Sequence, residues 1–227
     1  MAAYSAELES ELRQQLGNAG FNPLTRSIFK WTKSPAEVSH VVFFEVWRGI
    51  EPMLTAWSAA SSVSAERFAT SCLQATGLRV YESLRTRSDK ELAMRFALGR
   101  VAMWAERSSI PRLSTGIAQS VQIAVASIQD VFVPLCNRTR TKRELADYLC
   151  QDCEPFPWLF SNEALRVAAI AWLRHTSGDD LADVVRLLED QRRGVSNSLR
   201  NEVTRDVFLG IIKQRLEAEV RDVSGGI

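Results

Sequence analysis

Histidine is scarce in this chain. Only His40 and His175 occur in 227 residues, so most histidine-dependent chemistry has at most two homes. Long apolar runs are missing as well. The densest, Val167–Leu173, falls far short of the roughly 20 residues a membrane-spanning helix needs. Residues 5–16 already carry Glu7, Glu9, Glu11 and Arg13, which leaves no apolar stretch for a secretory signal. The four cysteines, Cys72, Cys136, Cys150 and Cys153, are therefore expected as reduced thiols in a cytoplasmic compartment. Charge of one sign is also lacking: 28 basic against 27 acidic residues give a formal net charge of +1. A general polyanion binder normally carries a clear basic excess, so composition argues against nucleic acid as a partner, while leaving room for a local basic patch. The P-loop, the nucleophile elbow, HExxH, the EF-hand loop and the Gly-rich dinucleotide turn are all absent. Nothing in the pattern calls for a cofactor, and neither an internal repeat nor a low-complexity segment occurs.

What remains is ordinary globular composition, 46% hydrophobic and 24% charged. A chain of this length buries about 70% of its unfolded surface and needs neither a disulfide nor a metal to hold a core.

Leu8, Leu12 and Leu16 recur every fourth residue and predict a helix over 5–17, stopped by Gly17, Asn18 and Gly20. The period then changes. Thr25–Thr32, Val38–Trp47 and Glu51–Ser58 are rich in β-branched and aromatic residues, and Ser34-Pro35 and Arg48-Gly49 read as turns between them. The expected arrangement is an antiparallel meander. Its second strand is apolar on both faces, His40, Val42, Phe44 and Val46 against Val41, Phe43 and Trp47, so it should be central. A helix capped near Ser61–Ser64 follows, with Phe68, Cys72 and Leu73 inward. Met94–Trp104 suits a helix or a strand, and its alanines and the Lys90-Glu91 flank favour helix.

From Ser114 the pattern predicts helices alone. Ile117, Val121, Ala124, Val125, Ile128 and Phe132 form a stripe that Pro134 closes or kinks. Thr141 and Glu144 have capping-box spacing. Glu154-Pro-Phe-Pro-Trp158 reads as a rigid connector, and Ala164–Leu173 as the most buried helix. Ser177-Gly178-Asp179-Asp180 breaks it, and Leu181, Val184, Val185 and Leu188 start the next stripe. A last helix of about 25 residues carries Val195, Leu199, Val203, Val207, Ile211 and Leu216. The composition shift near residue 110 suggests an α+β part over 1–110 and a helical part over 111–227, packed as one unit.

Four places merit a chemical reading. Cys150-Gln-Asp-Cys153 has the spacing of a redox pair or half a zinc site, but no second CxxC exists, and His175 and Cys136 together could complete four ligands only if the fold brings them to the pair. The simpler reading is two small residues at a helix end. The run Arg138, Arg140, Lys142, Arg143 can grip phosphates, or can solvate a loop and complement a helix C-terminus. Arg166 interrupts the most apolar helix and must be paired there, as a buried ion pair or as an anion anchor. The strand aromatics Phe29, Trp31, Phe43, Phe44, Trp47 and Trp57 fit a core better than a base-stacking platform. His40 fits a hydrogen-bonded core histidine better than a catalytic base, and Asp179, Asp180 and Asp183 fit a helix N-terminus.

The order of features over residues 8–75 carries one resemblance. A helix leads to Gly20-Phe21, then a strand ends in Phe29-Lys30-Trp31, then come an aromatic strand and Ala65-Glu66-Arg67-Phe68. This order resembles an uncharacterised bacterial α+β domain family of unknown function. The resemblance implies an antiparallel sheet backed by helices and supplies no functional residue. The fold expected is α+β, with three to four antiparallel strands in the N-terminal half and a mostly helical C-terminal half. The function expected is that of a non-enzymatic protein-interaction or accessory protein with a protein partner, or a homodimer through the 195–220 helix. Nucleic-acid binding through the basic run and thiol or zinc chemistry at the CxxC pair are the alternatives.

Overall fold

A computed structural model describes residues 6–48, 52–76, 97–100, 113, 116–151, 163–190 and 202–224. The chain is α+β. It divides into two compact units, one made of residues 1–60 and 96–140, the other of 61–95 and 141–227. Neither unit is continuous in sequence.

The first unit holds the sheet. Helix α1 (Ala6–Asn18) buries Leu8, Leu12 and Leu16, the one face their spacing creates. Burying each leucine contributes about 2 kcal/mol. Gly20, at φ +86°, turns the chain out of the helix, and its carbonyl accepts from both Thr32 N–H (3.0 Å) and Thr32 Oγ1 (2.9 Å). Five strands follow in the order β1 (Phe21–Pro23), β2 (Ile28–Trp31), β3 (Ser39–Arg48), β4 (Pro52–Ser61) and β5 (Ala97–Arg100), neighbours in sequence being neighbours in the sheet. Thr25 Oγ1 accepts from the Ser27 and Ile28 N–H groups and tightens the first turn. β3 lies in the middle, and His40, Val41, Val42 and Phe44 are buried, so both of its faces are covered.

Short β1 adds an edge that the sequence reading did not separate from its neighbour. The other end of the sheet corrects an expectation: residues 97–100 are a strand, not a helix. They pair antiparallel with β4, Trp57 opposite Arg100 and Ser58 opposite Gly99, with a bulge at Ser58/Ala59. An open sheet edge outweighs the mild helix preference of a segment this short. The remainder of 94–104 lies outside the described residues.

Helix α3 (Ile117–Ser127) packs on α1 and buries Val121, Ala124 and Val125. Pro134 does not close it. The chain widens into a π-turn over Ile128–Phe132, where Val133 N–H bonds to Ile128 O, five residues back, and then resumes as α4 (Val133–Arg138). Proline has no N–H and its ring crowds the carbonyl four residues earlier, so widening the turn removes both conflicts.

The second unit is helical among the described residues. It comprises α2 (Val63–Ala75), α5 (Lys142–Gln151), α6 (Glu163–His175), α7 (Leu181–Asp190) and α8 (Glu202–Ser224). Helix α6 is the centre, buried continuously from Arg166 to Ala171, with α2, α5, α7 and α8 against it. Phe68 of α2 stacks on Trp172 of α6 at 4.7 Å, and Arg215 of α8 donates to Ser71 Oγ of α2. In α8 the inward line is Phe208, Ile212 and Leu216, whereas Val207 is 49% exposed. The stripe expected at Val207 and Ile211 is therefore rotated by one residue. Phe208, the largest apolar side chain of that stretch, takes the inward place. Val195, Leu199 and the connector at 154–158 lie outside the described residues.

Candidate functional site

The polar residues singled out from sequence collect at two nodes, one in each unit. In the first unit Phe21 pairs with Trp31 across β1 and β2, and Trp31 meets the His40 ring edge to face at 5.8 Å. Phe132, from the π-turn, covers this row: its ring lies 6.3 Å from Phe21 and 6.5 Å from His40. His40 is fully buried.

Its hydrogen bonds fix its state. Nε2 lies 2.9 Å from Thr139 Oγ1 and 3.1 Å from Thr139 O. Thr139 Oγ1 already donates to Leu135 O at 2.8 Å, so towards His40 it accepts. The proton is thus assigned to Nε2, and Nδ1 accepts from Ser34 Oγ at 3.2 Å. Ser34 Oγ in turn accepts the His40 backbone N–H at 3.1 Å. Burial pushes the His40 pKa down from 6.5 to about 4, against the pull of the Thr139 backbone bond and helped by the Arg140 and Lys30 charges. Ser34 and His40 have the separation of a nucleophile and its base. An imidazole at about 4 is a weak base at neutral pH, however, and the group holding its other nitrogen is Thr139, which does not stabilise an imidazolium as a carboxylate does. The node therefore acts as a lock tying β3 to the end of α4.

The second node sits where α5, the end of α6 and the start of α7 meet. Thr141 and Glu144 form the capping box their spacing predicts, Thr141 N–H to Glu144 Oε2 at 2.9 Å and Glu144 N–H to Thr141 Oγ1 at 3.1 Å. Arg143 of α5 meets Asp179 at 2.9 Å, and Arg174 of α6 meets the same carboxylate at 3.2 Å and also pairs with Asp147. Asp180 accepts the Ala182 N–H at 3.0 Å, the N-cap role expected of it, while Asp183 faces Arg186 in solvent. Arg166 is 6% exposed, and its Nη1 donates to Leu149 O at the end of α5 (3.4 Å). Among the described residues no hydrogen bond reaches the buried Trp172 Nε1, Arg174 Nε or His175 Nδ1.

The basic run is divided by the fold. Arg138 and Arg140 fall in the first unit, Lys142 and Arg143 in the second. Arg143 is engaged by Asp179. Of the expected aromatic group, Phe29, Trp31 and Phe44 are buried, and Phe29 meets Phe44 edge to face at 5.9 Å, the behaviour of core residues. Burial pushes the Cys72 thiol up to about 11 and raises Cys136 as well, so both stay protonated at neutral pH. Cys150 stands at the end of α5, half-buried, and Cys153 lies outside the described residues. Among the described residues no three His, Cys, Asp or Glu side chains gather as a metal site. No described helix is long and apolar enough to cross a membrane.

Sequence reasoning missed Thr139, Ser34, Asp147 and the bridging role of Asp179. Thr139 had one local signal, its place just after a helix, but its partner His40 is 99 positions away. Comparison with protein-family models, curated proteins and solved structures finds no match to this chain.

Proposed function

We propose that this chain is a non-enzymatic protein-interaction or accessory protein of the bacterial cytoplasm, acting through its surface on a protein partner. One observation carries the reading: the side chains most capable of chemistry are already used by the fold. His40 is neutral and bonded at both ring nitrogens, Arg143 and Arg174 share Asp179, and the Cys72 thiol is held protonated. Groups held in this way stabilise and specify a core.

The test is cross-linking of the full chain in living cells followed by mass spectrometry, beside a screen of hydrolase, transferase and redox activities on the purified protein. The expected result is a recurrent set of cross-links from exposed lysines such as Lys213 to one protein, and no turnover. Turnover abolished by a single substitution at Ser34, His40 or Cys150 would overturn the reading.

A further inference from the structure

Helix α8 buries Phe208, Ile212 and Leu216 against the rest of its unit, and Gly210 sits on the opposite side, exposed, in the middle of the helix. Glycine is the least favourable helix residue after proline. The monomer gives no packing reason for it, because a Cβ built at Gly210 meets nothing within 4 Å. Its neighbours on the outward face at helical spacing are Asp206, Val207, Lys213 and Gln214, all exposed. An exposed valine next to an exposed glycine makes a small shallow seat flanked by opposite charges.

We propose that this face is the interface for a second copy of the chain, the two α8 helices crossing antiparallel with Gly210 of each at the two-fold axis. The inference rests on the interaction reading above and names the partner. Charge complementarity selects that partner and that direction. Around a two-fold axis through Gly210, residue n faces residue 420 − n of the other copy, and side chains keep their flank. Asp206 and Lys213 share one flank, so each Asp206 comes within one helical rise, about 1.5 Å, of the level of the second copy's Lys213, giving two equivalent ion pairs. Val207 and Gln214 share the other flank, so each valine covers the aliphatic stem of the opposing glutamine. In a parallel pair the two-fold axis swaps the flanks, so Asp206 would lie beside Val207 and Lys213 beside Gln214 of the second copy, with no ion pair across the contact. Asp206 also lies 3.5 Å from Arg205 Nε in its own helix, and a carboxylate has acceptor sites for both cations. Glycine at the crossing lets the axes approach to about 8 Å. Residues 203–217 span about 21 Å, so the contact is on the order of 1,000 Å², the size of a weak, concentration-dependent dimer.

Sedimentation equilibrium of the full chain, from low micromolar to several hundred micromolar, tests this. A reversible monomer–dimer equilibrium is expected. Gly210→Leu should weaken it by about a hundredfold through steric clash at the axis, while melting no lower than wild type, since the monomer has room for the side chain and gains helix propensity. Asp206→Lys and Lys213→Asp should each weaken it by about tenfold, and the double exchange should restore it. A wild-type chain monomeric throughout the range, or a dimer indifferent to these substitutions, overturns the proposal. The wider interaction reading then stands or falls separately, on whether the cellular cross-links lead to a different protein.

Discussion

A buried neutral histidine makes stability depend on pH, and His40 fixes the sign. In the unfolded chain its imidazole titrates near 6.5, and in the folded chain near 4. Between these values the unfolded state carries a proton that the folded state lacks, so stability falls as pH falls, by about 1.4 kcal/mol per pH unit. From pH 7 to pH 5 the loss from this residue is about 2 kcal/mol, and it is complete just below pH 4. The charged groups acting on the ring, Lys30 and Arg140, are both cationic and reinforce the effect. His40→Leu removes this slope. It also strips Thr139 and Ser34 of a partner, at a cost of about 2–3 kcal/mol at pH 7. Urea unfolding followed by tryptophan fluorescence at pH 7 and pH 5 separates the two effects. The wild type should lose far more stability between the two pH values than the variant, and equal slopes would mean that the ring is not held neutral.

Elements specified by neighbours in sequence are legible in it; elements specified by distant partners are not. The leucine spacing of α1, the Thr141–Glu144 box, the Asp180 cap and the apolar run of α6 each depend on residues within one or two turns, and each stands where the pattern puts it. β5 depends on an edge some forty residues earlier, and its four residues hold too little periodicity to outweigh alanine's helix preference. The His40 lock needs Thr139. In α8 the valines and isoleucines suggested one stripe, while Phe208 supplied more apolar area one position over and turned the helix. The same distinction predicts how the acidic cluster responds to substitution. Asp179, largely buried between Arg143 and Arg174, should lose about 1–2 kcal/mol on change to alanine. Asp183, exposed beside Arg186, should change stability by no more than about 0.5 kcal/mol. Thr141→Ala should cost about 1 kcal/mol through the lost cap. Thermal melts of the three variants give the ranking, and a tolerant Asp179 would show that the shared carboxylate contributes little.

At the scale of the whole molecule, the chain leaves the sheet unit at residue 60, contributes 61–95 to the helical unit, returns at 96, and leaves again at 140. Composition changes where the kind of element changes; packing follows which elements bury each other's faces. Each unit therefore depends on a segment from elsewhere in the sequence. A fragment of residues 141–227 keeps α5 to α8 but loses α2, whose Phe68 stacks on Trp172 and whose Ser71 receives Arg215. Its Trp172 face would be left open, and the fragment should lack a cooperative melt. A fragment of residues 1–110 keeps α1 and the sheet but loses α3, the π-turn and Thr139, which uncovers Leu8, Leu12, Leu16 and His40 together. It too should bind a hydrophobic dye and melt without a sharp transition. Residues 1–140 restore every described element of the first unit and should recover a cooperative melt, with the tail of α2 exposed to protease. Circular dichroism melts and limited proteolysis of the three fragments decide the matter: a cooperative 1–110 would mean that the sheet and α1 hold a core without the helices that return to them.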